Sequence, residues 1–256
     1  QSVGGKLLYR IRGRVSLTPL GQLLAERAKN LLAFKRETVA AVELFHGTLS
    51  GELWIGGSNI PGEYFLPQRL GAFTRKFPAV RPILRIGDSA GIIDDLLDGK
   101  VELAVVGYKA EESRLRFEKI WDDEMILAVP KEHAWARRKS IQVSELKTER
   151  FISRERGSGT LESMRQLLAK SGETAEEVLI ISMELGSTEA IKEAVLAGYG
   201  ISILSRIAIR QELADGRLVE VPIRGLVMER GFYEVYHGHR PLHPNAQAFR
   251  EFLRIP

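Results

Sequence analysis

The sequence has 256 residues, enough for a long helix and one or two α/β lobes, and its 44% hydrophobic and 27% charged residues are those of a globular protein. It contains no cysteine, which excludes disulfides, thiolate metal sites and a cysteine nucleophile and agrees with a cytoplasmic location. No apolar run reaches membrane-spanning length and no signal peptide is visible, so we expect no membrane association.

The positive charge is concentrated at the amino end. Residues 1–50 carry eight Lys or Arg against three Glu, whereas residues 51–256 carry 29 Lys or Arg against 30 Asp or Glu. Such asymmetry indicates an end that faces nucleic acid and a neutral body. The alternative is chance clustering of cations on a solvated face.

A small hairpin with a cationic tip is predicted over residues 1–17. Arg10, Arg12 and Arg14 are interleaved with strand-forming apolar residues, and Gly13 lies between two of the arginines. This is the shape of a wing in a winged helix, whose arginines contact phosphates or enter a minor groove.

Thr18 and Pro19 predict the start of a long helix, with threonine as the N-cap and proline at the first helical position. The helical pattern runs to about His46, and Gly47 suits a C-terminal cap. A helix of this length spans about 43 Å, more than the usual helix of a globular domain. Its apolar stripe therefore favours dimerisation, and the alternative is a helix that lies on its own domain.

These two elements carry a family resemblance. The run LLYRIRGRVSLTPLGQLLAERAKNLL resembles the wing and linker helix of LysR-type transcriptional regulators, in which a winged helix-turn-helix comes first and an effector domain of two α/β lobes follows. The resemblance implies that this sequence, which starts at Gln1, holds the wing and lacks the first helices of the DNA-binding domain. We therefore expect these 256 residues alone to bind DNA weakly and without sequence selectivity.

The body begins with a strand–helix–strand–helix–strand pattern. Buried-type strands are predicted at Leu53–Gly56, Ile83–Gly87 and Leu103–Gly107, with amphipathic helices between them. Such alternation indicates a parallel sheet with right-handed crossovers. Ligands bind such sheets at the carboxyl ends of the strands, where Ser58 and Asn59 stand.

A second α/β unit follows, and it contains the most informative turn of the chain. Residues 149–168 read ERFISRERGSGTLESMRQLL, a strand followed by a Gly/Ser/Thr turn and the start of a helix. Unpaired N–H groups at such a start favour an anion, and the hydroxyls of Ser158 and Thr160 add donors. The alternative is a capped helix after an ordinary loop. The lysine of a nucleotide P-loop is absent from the turn. Further strands of this unit are predicted at Met125–Pro130, Leu179–Met183 and Ile201–Leu204.

Four further segments extend the family resemblance over nearly the whole chain: GSNIPGEYFLPQRLGAF, VELAVVG, GSTEAIKEAVLAGYGISILS and RPLHPNAQAFREFL. The implied fold is α/β, with two Rossmann-like lobes of the periplasmic-binding-protein type preceded by a long linker helix and the remnant of a winged helix-turn-helix. The implied domains are a wing at 1–17, a linker helix at 18–48 and an effector-binding domain at 49–256. Lobe I then covers about 51–122 and 228–256, with Phe232–His237 as a returning strand, and lobe II covers about 123–227.

The resemblance also implies an effector between the lobes, a homodimer or homotetramer, DNA as a partner and no cofactor. Its motif positions assign effector binding to the three turns that open helices. The sequence RERGSGT resembles that of the branch of this family whose effectors are small anions, phosphorylated metabolites and carboxylates. The expected effector residues are Ser58, Asn59, Ser158, Gly159, Thr160, Ser187 and Thr188, and the expected DNA contacts are Arg10, Arg12 and Arg14.

A metal site and a catalytic site are two further hypotheses, and each has a simpler structural alternative. His237, His239 and His243 form an H-x-H-x3-H pattern that would need converging nitrogens to hold a metal, whereas a strand end and a loop also explain it. The acidic run at 122–124 is predicted to be a solvated turn at a lobe junction. We expect neither a metal nor a catalytic constellation, since no Gly-x-Ser-x-Gly elbow occurs.

Three classes of function follow from this pattern. The favoured one is a ligand-controlled transcription regulator. A periplasmic-type solute-binding protein shares the two-lobed architecture, but the basic segment with its long helix and the missing signal peptide argue against it. A two-lobed α/β enzyme that acts on a small anion is the third class, which a turnover assay would distinguish.

Overall fold

The computed structural model describes residues 4–11, 14–45 and 49–254. The predicted hairpin is present, because β1 (Leu8–Ile11) and β2 (Arg14–Leu17) pair antiparallel. The predicted helix is also present, as the 27-residue α1 (Pro19–Phe45). Thr18 Oγ1 caps it by accepting from Gly21 N at 2.9 Å, and it donates to Lys6 O at 2.6 Å, which ties the helix start to the hairpin. The expected C-terminal cap Gly47 lies outside the described residues.

Helix α1 presents an apolar surface that nothing in the described chain covers fully. Six of its large apolar side chains are about half exposed or more, and they are spread over most of its length. They are Leu23, Leu31, Leu32, Phe34, Val39 and Val42, with exposed fractions between 51% and 69%.

Lobe I has the predicted strand–helix–strand–helix–strand order. Its elements are β3 (Gly51–Ser58), a π-helical turn (Pro61–Phe65) that leads into α2 (Leu66–Lys76), β4 (Val80–Gly87), α3 (Ser89–Leu97) and β5 (Leu103–Val106). Strand β3 pairs parallel with both β4 and β5. The carboxyl ends of these three strands therefore meet at one edge of the sheet, as the sequence predicts.

Two long strands join the lobes. β6 (Leu115–Pro130) has 16 residues and pairs with β11 (Glu229–His237) over the whole of β11, while β11 also pairs with β5. The returning strand predicted at Phe232–His237 is thus confirmed and begins earlier.

Residues 122–124 differ from the prediction. They are not a solvated turn at a lobe junction, because they lie within β6, which also extends the strand predicted at Met125–Pro130 back to Leu115. Asp123 is buried within it. The ladder to β11 satisfies the backbone of this polar segment, and local composition does not reveal a pairing partner more than 100 residues away.

Lobe II is a second α/β unit. Its elements are β7 (Arg150–Arg154), α4 (Gly159–Lys170), α5 (Ala175–Val178), β8 (Ile180–Leu185), α6 (Thr188–Leu196), β9 (Ser202–Ser205), α7 (Arg210–Ala214) and β10 (Leu218–Glu220). β7 and β8 pair parallel, while β9 and β10 pair antiparallel with β6. Strand β6 therefore belongs to the sheets of both lobes.

The last helix, α8 (Pro244–Leu253), returns to lobe I. The Phe249 ring packs edge-to-face on Phe73 of α2, with ring centroids 5.1 Å apart, and both side chains are fully buried. No helix among the described residues is long and apolar enough to cross a membrane.

Candidate functional site

A narrow cleft separates the lobes where the helix starts of both lobes meet. Its volume, taken as the space open to the centre of a water molecule, is about 10 Å³, which is room for about one water. Its walls are polar and come from the strand ends of both lobes and from the crossing strand β11. They comprise Ser58, Asn59, Ile60, Asp88, Ser89 and Gly107 of lobe I, Arg154, Ser158, Gly159 and Thr160 of lobe II, and Arg230 and Phe232 of β11.

Two helix N-termini open on this cleft, one from each lobe. Asp88 caps α3, and its Oδ1 accepts from Gly91 N at 2.9 Å. Ser158 occupies the cap position of α4 but its side chain makes no cap hydrogen bond, although it is only 2% exposed. In α3 the N–H groups of Ala90 and Gly91 are already paired, whereas the first N–H groups of α4 have no intrahelical acceptor and provide donors. Both helix starts carry a positive partial charge.

The glycines of the second turn hold the lobes together. Gly157 has φ +92°, which favours glycine, and its carbonyl accepts from Ala90 N at 3.2 Å across the lobe boundary. A Cβ on Gly159 would lie 2.6 Å from Ser89 Oγ and 3.1 Å from Gly107 Cα. The turn is therefore glycine-rich because the other lobe approaches it closely, which the sequence pattern alone does not reveal.

Arg230 is a cleft residue that sequence reasoning missed. Its side chain is 4% exposed, its Nε donates to Asp123 Oδ2 at 2.7 Å, and its Nη1 donates to Thr160 Oγ1 at 3.0 Å. Nη2 lies 2.7 Å from the same Asp123 oxygen, yet it makes no hydrogen bond to any described residue. The ring of Phe232 lies 5.0 Å from the guanidinium carbon. Burial lowers the pKa of Arg230 from its ordinary value, and Asp123 opposes that shift. An arginine guanidinium stays cationic in proteins.

Arg154 is a second buried cation, at the carboxyl end of β7. Its Nε and Nη2 donate to Glu155, each at 2.7 Å, and its Nη1 donates to Thr188 Oγ1 at 3.0 Å. With the Asn59 amide oriented to satisfy both of its ends, Nδ2 donates to Gly87 O at 3.1 Å and Oδ1 accepts from Arg154 Nη2 at 2.5 Å. Arg154 therefore connects lobe II to the first turn of lobe I.

Five of the seven expected effector residues line the cleft. They are Ser58, Asn59, Ser158, Gly159 and Thr160. Ser187 and Thr188 do not line it. Ser187 caps α6 by accepting from Ala190 N at 3.1 Å, and Thr188 accepts from Arg154. The turn at Ser187 and Thr188 is therefore connected to the cleft through the hydrogen bond from Arg154 to Thr188.

Two of the expected DNA-contacting arginines, Arg10 and Arg14, lie on the hairpin and are not among the residues that line this cleft. Arg10 is exposed on β1 and Arg14 begins β2, whereas Arg12 lies outside the described residues.

The histidines have structural roles. His243 Nδ1 accepts from Asn245 N at 3.2 Å at the start of α8, and His237 Nδ1 accepts from His239 N at 3.2 Å. Within the described part of the chain, no group of three or more His, Cys, Asp or Glu residues is placed to hold a metal. What the cleft offers is fixed hydrogen-bond donors, hydroxyl groups and two cations, which suit binding of a small polar molecule.

The family model described as the LysR substrate binding domain matches residues 46–255 of this chain. Curated relatives include a RuBisCO operon transcriptional regulator of Acidithiobacillus ferrooxidans, 30% identical over 99% of this chain and 80% of the relative. Another is the HTH-type transcriptional regulator CbbR of Sinorhizobium medicae, 32% identical over 99% of this chain and 80% of the relative. A third is the HTH-type transcriptional regulator CysL of Bacillus subtilis, 30% identical over 97% and 81%.

Solved structures of similar fold include the regulatory domain of CcmR from Synechocystis in complex with 2-PG. It is 28% identical, with a TM-score of 0.72 over 80% of this chain and 96% of that one. Full-length OxyR from Pseudomonas aeruginosa is 19% identical with a TM-score of 0.73, over 99% of this chain and 81% of that one. The second likeness covers the hairpin and long helix as well as the lobes.

Proposed function

The chain belongs to the LysR family of transcriptional regulators, and we propose that it senses a small anion bound in the cleft between its lobes. Members of the family bind DNA and respond to a small-molecule effector, and the curated relatives are regulators, not enzymes. The proposal concerns the chemistry of the effector, the residues that hold it and the way binding reaches the DNA.

The observation that carries the proposal is the buried guanidinium of Arg230 between two helix N-termini. Buried charges are retained where they are paired or bind something. Arg230 has one counter-charge, Asp123, and its Nη2 has no hydrogen-bond partner among the described residues. Together with the partial positive charge at the starts of α3 and α4, it makes the cleft complementary to a carboxylate or phosphate.

The ligand set that we propose is Ser58 and Asn59 from lobe I, and Ser158, Gly159 and Thr160 from lobe II. Ser158 supports this role because its buried hydroxyl is not used to cap α4. Thr160 Oγ1 accepts from Arg230, and its own proton is free to be donated to an anion. Thr188 would hold Arg154 in place, and Ser187 would only cap its helix.

The effector would have to enter a more open form of the protein. The cleft has room for about one water molecule. Two hydrogen bonds join the lobes across it, one from Ala90 N to Gly157 O and one from Arg154 to the Asn59 amide oxygen. A ligand that changes the angle between the lobes would shift the population of closed molecules. The lobes lead through residue 49 to α1, so that shift would reach the hairpin and its arginines.

We also propose that α1 joins two copies of the chain, in a homodimer or within a homotetramer. Its exposed apolar side chains support this, since a monomer would leave them in water. As a regulator acting on DNA, the protein would work in the cytoplasm.

The likeness to the CcmR regulatory domain adds weight to a small effector of this kind. That domain, 28% identical to this chain, was solved with 2-PG bound. We infer a ligand of similar size here and leave the choice between phosphate and carboxylate to experiment.

The test is a thermal-shift screen of the chain with 2-PG, inorganic phosphate and mono- and dicarboxylates, each carboxylate beside its neutral amide. We expect at least one anion to raise Tm in a saturable way while its neutral counterpart does not, because the amide lacks the charge that Arg230 and the helix termini favour. Stabilisation by the neutral compounds to the same extent would reject an anion-selective cleft.

A further inference from the structure

A second cavity lies beside the cleft and shares only Gly107 and Arg230 with it. Its volume is about 310 Å³, measured in the same way as the 10 Å³ of the cleft. That is the lower end of the range for small-molecule pockets, which is about 300–1,000 Å³. A ligand could therefore enter this cavity in the conformation described here, whereas the cleft must open first.

The walls of this second cavity come from both lobes and from the strands that join them. Tyr108 and Lys109 follow β5 of lobe I, Lys170 ends α4 of lobe II, and Lys119 and Tyr233 lie on the crossing strands β6 and β11. Ser163 Oγ of α4 donates to Gly107 O at 3.2 Å, which ties the two walls together. A change in the angle between the lobes would therefore change the shape of the cavity.

The cavity is rich in cations. Its charged lining consists of Lys109, Lys119, Lys170 and Arg230 against Asp122 and Glu229. Lys119 forms an ion pair with Asp122, and Arg230 pairs with Asp123 outside the cavity lining.

The two remaining ammonium groups belong to residues of opposite lobes, and Glu229 is the carboxylate of the lining that remains after the Lys119 and Arg230 pairs. Neither Lys109 nor Lys170 has an ion-pair or hydrogen-bond partner among the described residues. Both side chains are exposed, and an anion bound in the cavity between the lobes could pair with both.

The tyrosine beside Lys109 adds a neutral donor. Burial raises the pKa of Tyr108, and the nearby carboxylates of Glu162, Asp88 and Asp94 raise it further. The phenol therefore stays protonated at physiological pH and can donate a hydrogen bond to an anion.

We propose that this cavity is a second ligand site, which takes a small multiply charged anion of the phosphate or polycarboxylate class. Lys109 and Lys170 supply charge from the two lobes, and Tyr108 supplies a hydroxyl donor. Lysines suit such a ligand because each is a compact point charge with three donors.

Occupancy of this site is coupled to the cleft, and this part of the inference rests on the proposed function. Arg230 borders both cavities, and the second cavity spans both lobes. An anion that bridges Lys109 and Lys170 stabilises one lobe angle and so changes the affinity of the cleft for its effector. By linkage, the effector changes the affinity of the second site by the same factor.

The experiment is calorimetry of the whole chain with sodium pyrophosphate and, separately, sodium citrate, at constant ionic strength so that screening is equal. The test variant is Lys109→Gln with Lys170→Gln. The matched control is Lys139→Gln with Lys147→Gln, which removes the same charge from exposed positions of lobe II that do not line the cavity. We expect saturable binding of at least one probe, weakened about tenfold or more in the test variant and unchanged within about twofold in the control.

The two probes separate the sources of the anion. Preference for pyrophosphate assigns the site to phosphorylated ligands, and preference for citrate assigns it to polycarboxylates. No saturable binding of either probe, or equal loss in both lysine pairs, overturns the proposal.

A cleft variant separates this proposal from the proposed function. If Ser158→Ala with Thr160→Val abolishes probe binding while Lys109→Gln with Lys170→Gln does not, the probe binds in the cleft. That outcome rejects the second site and leaves the anion-binding cleft standing.

Discussion

Arg230 and Asp123 face each other across the two strands that join the lobes. Their Cα atoms are partners in the antiparallel register of β11 and β6, and Arg230 Nε donates to Asp123 Oδ2 at 2.7 Å. Their side chains are 4% and 3% exposed, and Ser205 Oγ of lobe II donates to the other carboxylate oxygen at 2.6 Å. This pair places a cation on the cleft wall and also fastens lobe II to the crossing strands.

Removing the carboxylate of this pair should destabilise the protein strongly. Asp123→Asn leaves the Arg230 guanidinium buried without a counter-charge, so we expect the free energy of unfolding to fall by about 3–5 kcal/mol. The control is Asp122→Asn on the neighbouring residue, whose side chain is 78% exposed, with an expected loss of at most about 1 kcal/mol. Urea unfolding of the two variants makes the comparison, and equal losses would show that the buried pair does not support the fold.

Substitution of two serines at helix starts should change different properties, the ligand affinity in one case and the stability in the other. Ser158 lines the cleft without capping α4, whereas Ser187 caps α6 away from the cleft. We expect Ser158→Ala to weaken binding of the effector by about fivefold to tenfold at little cost in stability. Ser187→Ala should cost about 1 kcal/mol of stability and leave the affinity unchanged.

The same measurement on Ser158→Ala with Thr160→Val should show at least a tenfold loss, because Thr160 also holds Arg230. Calorimetry with the effector found by the screen, together with urea unfolding, provides both quantities. Unchanged affinity in a folded double variant would show that the turn at Gly157–Thr160 is an ordinary helix start and does not bind the effector.

A methyl group at Gly159 should push the lobes apart. The added Cβ would lie 2.6 Å from Ser89 Oγ and 3.1 Å from the Gly107 backbone, so Gly159→Ala should lower Tm by several degrees. Gly186→Ala is the control, since nothing lies within 4 Å of its Cβ position. Differential scanning calorimetry distinguishes the two, and an unchanged Tm in Gly159→Ala would mean that the closed arrangement contributes little to stability.

The pH dependence of stability should contain a contribution from Glu63. Its pKa is raised from 4.5 by burial first and then by Glu189 of the other lobe, against the opposing effects of Arg154 and Lys192. The folded protein then binds the proton more tightly than the unfolded chain, so stability falls as pH rises from about 4.5 through the raised pKa.

Glu63→Gln should therefore raise Tm at pH 7.5 and have little effect at pH 4, where the carboxyl is protonated in both states. The exposed carboxylate Glu111 provides the control, as Glu111→Gln. Thermal unfolding at both pH values tests the sign, and a larger gain at pH 4 than at pH 7.5 would contradict it.

Helix α1 should provide the main contact between copies of the chain. Leu31 and Phe34 are 69% and 66% exposed, so Leu31→Gln with Phe34→Gln should raise the dimer Kd by tenfold or more. The exposed Lys35→Gln on the same helix is the control. Removal of residues 1–48 should leave folded lobes that are monomeric or weakly associated, and sedimentation would refute the proposal if it showed the same oligomer with and without α1.

The element order and five of the twelve residues that line the cleft could be predicted from the sequence. Period-2 and period-3.6 apolar patterns predicted the three parallel strands of lobe I, the long helix capped by Thr18, and the strand–turn–helix at Gly157–Thr160. These features are local, because backbone propensity, capping hydroxyls and glycine act within a few residues. The wing–helix motif with its family resemblance added the two-lobed architecture.

The tertiary structure alone decided which charges lie in the cleft. Arg230 sits in a polar stretch that resembles a surface strand, and Asp123 sits in an acidic run that resembles a solvated turn. They are buried together because these two residues, 107 positions apart in the sequence, lie opposite each other in the register of β6 and β11. Gly157 and Gly159 are likewise required by a long-range contact. A Cβ atom on either would lie less than 3 Å from an atom of lobe I. A local pattern carries no information on such contacts, since burial of a charge depends on the partner that long-range folding brings to it.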